Sequence, residues 1–164
     1  MPPFTDRESP ELPEVVLLNR QRKVPFLMRS VRDFVCSALP LCISESADGQ
    51  FALRSLPEVV VTILSDRRID SLHRQFMNIA GATDVITFEH GEIVVSADTA
   101  RRCAAEFGHS TEAELCLYIV HGLLHLNGFL DATEGQRAEM HWVQNRIWKY
   151  CLPFLAITES DKAT

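Results

Sequence analysis

Short apolar runs and longer stretches of helical periodicity divide this 164-residue chain into nine expected elements. Val15 to Asn19 (VVLLN) reads as a short buried strand, and Pro25 then opens a helix through Met28, Val31, Phe34 and Val35 to about Leu39, where Pro40 is expected to stop it. Glu45 to Gln50 is a polar turn. Glu58 to Leu64 (EVVVTIL) is β-branched enough to form a second strand. Ser65 or Asp66 caps a helix with Ile69, Leu72, Phe76 and Ile79 at helical spacing, and Gly81 closes it. Asp84 to Phe88 and Glu92 to Ser96 are strands of a tight hairpin. Ala97 to Phe107 is a helix of small residues ended by Gly108. Ser110 or Thr111 opens a longer helix to Leu126, with Gly128 just past its end. Thr133 starts the last helix, which Pro153 follows. Four strands and five helices, strands mostly first, predict an α+β fold: a small four-stranded sheet packed with about five helices.

The ends do not share these periodicities. Residues 1–13 hold four prolines and read as a flexible lead-in, and 158–164 as a flexible tail, leaving 14–157 as one domain. The composition, 46% apolar and 23% charged, is that of an ordinary globular protein. No apolar run reaches the length of a membrane span, and the first residues lack the pattern of a secretory signal, so no membrane association is expected. Five cysteines, odd in number and never paired as C-x-x-C, read as free thiols of a reducing, cytoplasmic compartment.

The net charge of −6 argues against a protein that coats nucleic acid indiscriminately, but the charge is uneven. Residues 15–80 carry nine bases and six acids, whereas 81–164 carry six bases and twelve acids. Thirteen of the sixteen bases are arginine, whose planar fork suits phosphate. Arg20, Arg22 and Lys23 follow the first strand, and Arg67 and Arg68 open the helix after the second. If those strands are neighbours, both groups emerge at one end of the sheet and can hold a phosphate backbone; otherwise they are scattered solvated charge. No RNP-type aromatic pattern is present to stack bases, so sequence-specific readout is not expected.

The chemistry concentrates in His121-Gly-Leu-Leu-His125-Leu-Asn-Gly128-Phe-Leu-Asp131. Histidines at i and i+4 lie on one helix face and can converge on one metal ion, although a buried, hydrogen-bonded histidine pair leaves the same trace. Gly128 lets the chain reverse, so Asp131 can return toward the rings as a third ligand; it can equally serve as an N-cap of the last helix. Two imidazoles and one carboxylate leave a tetrahedral ion with an open position, the catalytic arrangement. A zinc-protease helix needs Glu after its first histidine, and here that place is Gly122, so peptide hydrolysis by that route is disfavoured.

These residues, preceded by Thr83-Asp-Val-Ile-Thr-Phe88 and Gly91-Glu-Ile-Val-Val-Ser96, resemble the YbeY family of bacterial metal-dependent endoribonucleases of ribosomal RNA maturation. The order of elements agrees from about Val15 to Pro153, with close matches over 83–88, 91–96 and 121–131. The resemblance implies a single-strand endoribonuclease that acts in small-subunit rRNA 3′ end maturation and ribosome quality control. It further implies one zinc or other divalent ion per chain on His121, His125 and Asp131, ribosomal RNA and the small subunit or its precursors as partners, and a monomer. It also makes Asp84, in the segment beside the metal, a candidate base or a carboxylate that orients a histidine. The chain departs from the family in three places. Asp131 stands for the third metal histidine, Leu130 for the Asp before it, and Met77 falls where the family tends to carry an active-site arginine, leaving Arg74, one turn earlier, as the candidate substitute. These departures keep two other functions open: a ribosome-assembly factor with little nuclease activity, and a metal hydrolase of another ester.

Overall fold

A computed structural model describes residues 11–45, 49, 52–79, 81 and 83–160, the last five without their side chains. Four strands, β1 (Glu14–Asn19), β2 (Glu58–Leu64), β3 (Val85–Phe88) and β4 (Glu92–Ser96), form one mixed sheet in the order β1-β2-β4-β3. β1 and β4 run parallel to β2, and β3 pairs antiparallel with β4 at the far edge. The helices are α1 (Met28–Ser44), α2 (Asp66–Met77), α3 (Ala97–Phe107), α4 (Thr111–Leu126) and α5 (Glu134–Ser160), with a 3-10 turn at Ala52–Ser55. Strand alternation sends Val59, Val61, Ile63, Ile93 and Val95 to the larger core, shared with α1, α4 and α5. Leu64, Ile86 and Val94 turn to the opposite face, where Ile69 and Leu72 of α2 cover them. The expected α+β architecture is the one observed.

The starts of α2 and α3 are tied together at the carboxyl ends of β2 and β4. Ser65 caps α2 and Ser96 caps α3. Asp66 accepts hydrogen bonds from Ser96 Oγ (2.5 Å), Thr99 Oγ1 (2.7 Å) and Arg102 (2.7 Å), while its own N–H donates to Asp98 (2.9 Å). Burial alone would raise the Asp66 carboxyl, and these three donors outweigh it and hold it below the ordinary value.

Prolines set the main differences from the expected elements. Pro40 does not stop α1; the helix runs four residues beyond it, to Ser44. An interior proline costs about 3 kcal/mol. Against that, Leu39, Cys42 and Ile43 are buried, and Asn127, fully buried after α4, donates from Nδ2 to Cys42 O (3.0 Å), Ile43 O (3.4 Å) and Glu45 O, satisfying carbonyls at the end of α1. Pro153 likewise lies inside α5, between buried Cys151 and Leu155. α2 ends earlier than its spacing suggested, because Asn78 takes a left-handed conformation (φ 54°), and Ile79 is left exposed. The first ten residues and the last four lie outside the described residues, as does most of the polar turn Glu45 to Gln50.

Candidate metal centre

α4 brings the two histidines together and then turns the chain back over them. Ser110 Oγ accepts from Ala113 N–H (3.1 Å), and Glu112 and Glu114 complement the helix dipole at its start. Leu115, Ile119, Val120, Leu123 and Leu124 fix the helix in the core. Gly122, between the histidines, is a packing requirement. A Cβ there would stand 2.8–3.0 Å from three side-chain carbons of Ile93, so α4 lies close against β4. Gly128 (φ 95°) reverses the chain, and buried Phe129 anchors the returning loop through its N–H to Leu124 O (3.0 Å).

Asp131 thereby reaches the rings: its Oδ2 is 3.2 Å from His125 Nε2 and 3.6 Å from His121 Nε2, and the two Nε2 atoms are 3.0 Å apart. Donor atoms of the three residues all lie within 4.8 Å of one another. Asp131 is not the cap of α5. Thr133 takes that role in a capping box, with Gln136 N–H donating to Thr133 Oγ1 (3.2 Å) and Thr133 N–H to Gln136 Oε1 (3.1 Å).

Hydrogen bonds behind the rings test whether this group fits a cation. His121 Nδ1 meets Gln144 Oε1 at 2.7 Å, and His125 Nδ1 meets the Phe129 carbonyl at 2.9 Å. Both partners are acceptors, so both Nδ1 atoms carry the proton, and in neutral rings both Nε2 lone pairs face each other and the carboxylate. Burial holds the His121 imidazole below its ordinary value, a tendency that neighbouring His125 reinforces and that the Gln144 bond, Asp131 and Asp84 oppose. Two imidazole nitrogens and a carboxylate oxygen converging at this range need a proton or a metal cation between them. The donor set therefore fits a divalent ion, with nitrogen and oxygen ligands suited to zinc.

The three residues line a groove of about 890 Å³ together with Met77, Thr83, Asp84, Thr87, Glu89 and the loop after α4. Asp84 Oδ1 accepts from Val85 N–H (2.8 Å) and the Thr83 hydroxyl (3.3 Å), which fixes the carboxylate at the groove wall. Arg74 points elsewhere. Its guanidinium pairs with Asp70 (3.2 Å), which also accepts from Gly81 N–H (2.7 Å), and it is absent from the groove lining, where Met77 stands. The two basic groups do emerge at one sheet end: β1 and β2 are parallel neighbours, and Arg68 Nη1 donates to Arg20 O (3.5 Å). β1, which Arg20, Arg22 and Lys23 follow, lies three strand spacings, roughly 14 Å, from β3, and β2, which Arg67 and Arg68 follow, lies two, roughly 10 Å.

Gln144, the Phe129 carbonyl and Asn127 were not singled out by sequence reasoning. A glutamine among apolar positions of α5 resembles any helix-surface residue, and a backbone carbonyl leaves no sequence trace. Gly122 did leave one, because glycine inside a helix costs about 1 kcal/mol relative to alanine and calls for a packing reason.

The sequence model described as endoribonuclease YbeY matches residues 18–151. Among curated proteins, the Endoribonuclease YbeY of Nautilia profundicola is 40% identical over 100 residues, covering 56% of this chain and 70% of the relative. That of Heliobacterium modesticaldum is 32% identical over 111 residues (55% and 67%), and that of Synechococcus sp. strain CC9605 is 36% identical over 124 residues (65% and 75%). The solution structure of TM1509 from Thermotoga maritima superimposes with a TM-score of 0.61 over 90% of this chain and 95% of its own, at 24% identity, and shares the fold. With a family match over most of its length and relatives at this identity, the chain belongs to the YbeY family of endoribonucleases.

Proposed function

We infer that this chain is a metal-dependent endoribonuclease that cuts single-stranded RNA in ribosomal RNA processing, at small-subunit 3′ end maturation and ribosome quality control. It acts as a cytoplasmic monomer on the small subunit or its precursors. The observation that carries the reading is the convergence of His121, His125 and Asp131 in an open groove, in a member of a family named for RNA cleavage. No helix of the described residues is long and apolar enough to cross a membrane.

His121 and His125 would hold the ion through Nε2, and Asp131 through a carboxylate oxygen. Bound zinc lowers the pKa of water and polarises a phosphate oxygen. Asp131 adds a negative charge that a third histidine would not, making the ligand set harder. Asp84 keeps Oδ2 free of hydrogen bonds among the described residues and takes the proton of the attacking water or orients it. Gln144 and Phe129 hold the imidazole rings in one tautomer and one orientation.

A second reading has support in the groove lining. Among its described residues none is Arg or Lys, Met77 is apolar, and Arg74 is engaged by Asp70, so transition-state charge has less cationic support than an arginine would supply. That favours a ribosome-assembly factor with weak nuclease activity. Incubation of the purified chain with single-stranded RNA, with and without chelator, separates the two. Chelator-sensitive cleavage restored by zinc supports the nuclease; binding to small-subunit particles without cleavage supports the assembly factor.

A further inference from the structure

Beside the groove, on the opposite face of β3, three aromatic rings stand in a row. Phe76, the residue before Met77 in α2, meets Phe88 edge to face with ring centroids 5.5 Å apart. The His90 ring stacks on Phe88 at 5.8 Å and 29°. Phe88 is half-buried against the small core under α2, whereas Phe76 is 58% exposed and the His90 side chain 70% exposed. Left-handed Asn78 ends α2 directly after Met77, and His90 Nε2 pairs with Glu92 (3.3 Å) across the hairpin.

Each ring is a chain neighbour of a groove residue: Phe76 of Met77, Phe88 of Thr87 and Glu89, and His90 of Glu89. β3 is the edge strand, so no further strand separates groove from rings. A polymer lying in the groove reaches them by crossing that one edge. Every nucleobase has an apolar face able to stack on exposed aromatic rings, without sequence selection. Glu89 and Glu92 beside the rings disfavour phosphate there, so a nucleotide at this surface turns its uncharged base toward them.

Resting on the reading of the groove as a single-strand RNA site, we propose that Phe76, Phe88 and His90 form a nucleobase-stacking subsite, which holds an unpaired base of the RNA flanking the position opposite the metal centre. Its binding is sequence-tolerant, in keeping with the absence of any base-reading aromatic motif in the sequence.

The test uses the full chain and 2′-O-methyl octanucleotides, each carrying one 2-aminopurine at a different position. Wild type should quench the fluorophore strongly in one or two registers only. Phe76→Ala combined with His90→Ala should abolish that quenching and weaken binding roughly 5- to 150-fold, the span given by loss of one base-aromatic stack. Phe76→Trp should retain both. An abasic nucleotide in the quenched register should weaken wild type to the level of the double variant and leave the double variant itself unchanged. Unaltered thermal midpoints exclude unfolding as the cause. If wild type binds and cuts single-stranded RNA but the double variant binds equally well, the subsite is refuted and the nuclease reading stands. If wild type neither binds nor cuts single-stranded RNA, both are refuted.

Discussion

His121 and Gln144 meet at 2.7 Å across the interface of α4 and α5, the imidazole Nδ1–H donating to the amide oxygen. That contact decides which nitrogen of His121 is available for a metal. Replacing Gln144 by Leu removes the acceptor, so the imidazole can place its proton on Nε2, the atom that faces His125 and Asp131. Zinc affinity should fall by about 10- to 100-fold, the usual effect of losing such a supporting bond. Gln144→Glu, which still accepts from Nδ1, should retain it. Nitrogen-15 spectra of the metal-free histidine rings check the cause: wild type should show His121 protonated at Nδ1, and Gln144→Leu a mixed or reversed tautomer. Identical spectra with unchanged affinity would remove the role.

Asp131 and Thr133 lie two residues apart but do different things. Asp131→Ala should sharply weaken zinc binding with little change in thermal midpoint. Thr133→Ala should cost about 1 kcal/mol, the value of an N-cap, and leave zinc affinity intact. Asp131→His should keep or tighten binding, because imidazole suits zinc at least as well as carboxylate. Calorimetric titration and thermal melts on the three variants distinguish the ligand from the cap.

Gly122→Ala should be destabilising by about 1–3 kcal/mol from overpacking, although alanine is intrinsically the better helix former by about 1 kcal/mol. The opposing contact is the branched Ile93 side chain on β4, so Ile93→Val in the same chain should recover part of the loss. Urea denaturation of the single and double variants measures it.

The legible parts of the fold and the illegible ones have different physical origins. All four strands and the starts of α2 and α4 could be read because β-branched runs and serine caps are local signals, decided by neighbours in the chain. The ends of α1 and α5 could not, because what carries each helix past Pro40 or Pro153 is burial against distant elements, with Asn127 for α1 a further 87 residues along the chain from Pro40. The site divides in the same way. His121, His125 and Asp131 stand out through their spacing and the glycine reversal, whereas the groups orienting them come from another helix and from a backbone carbonyl. Whether Asp131 was ligand or cap could not be decided until Thr133 and Gln136 were seen to close the capping box themselves.

The Asp66 network predicts an acid-sensitive contribution to stability. Its folded carboxyl lies below the ordinary value, so the stabilisation is fully present above the unfolded pKa, near 3.9, and is lost as pH falls through the folded one. Asp66→Asn should therefore be less stable than wild type at neutral pH, with the difference closing in strong acid. Equal stability across the whole range in denaturant titrations would contradict the assignment.

The central claim is that His121, His125 and Asp131 form one metal site, and titration of zinc into the metal-stripped full chain tests it most directly. Wild type should take up one equivalent, while His121→Ala and His125→Ala, still folded by circular dichroism, should take up none at the same concentrations. Retention of one tightly bound equivalent by either folded variant would contradict the account.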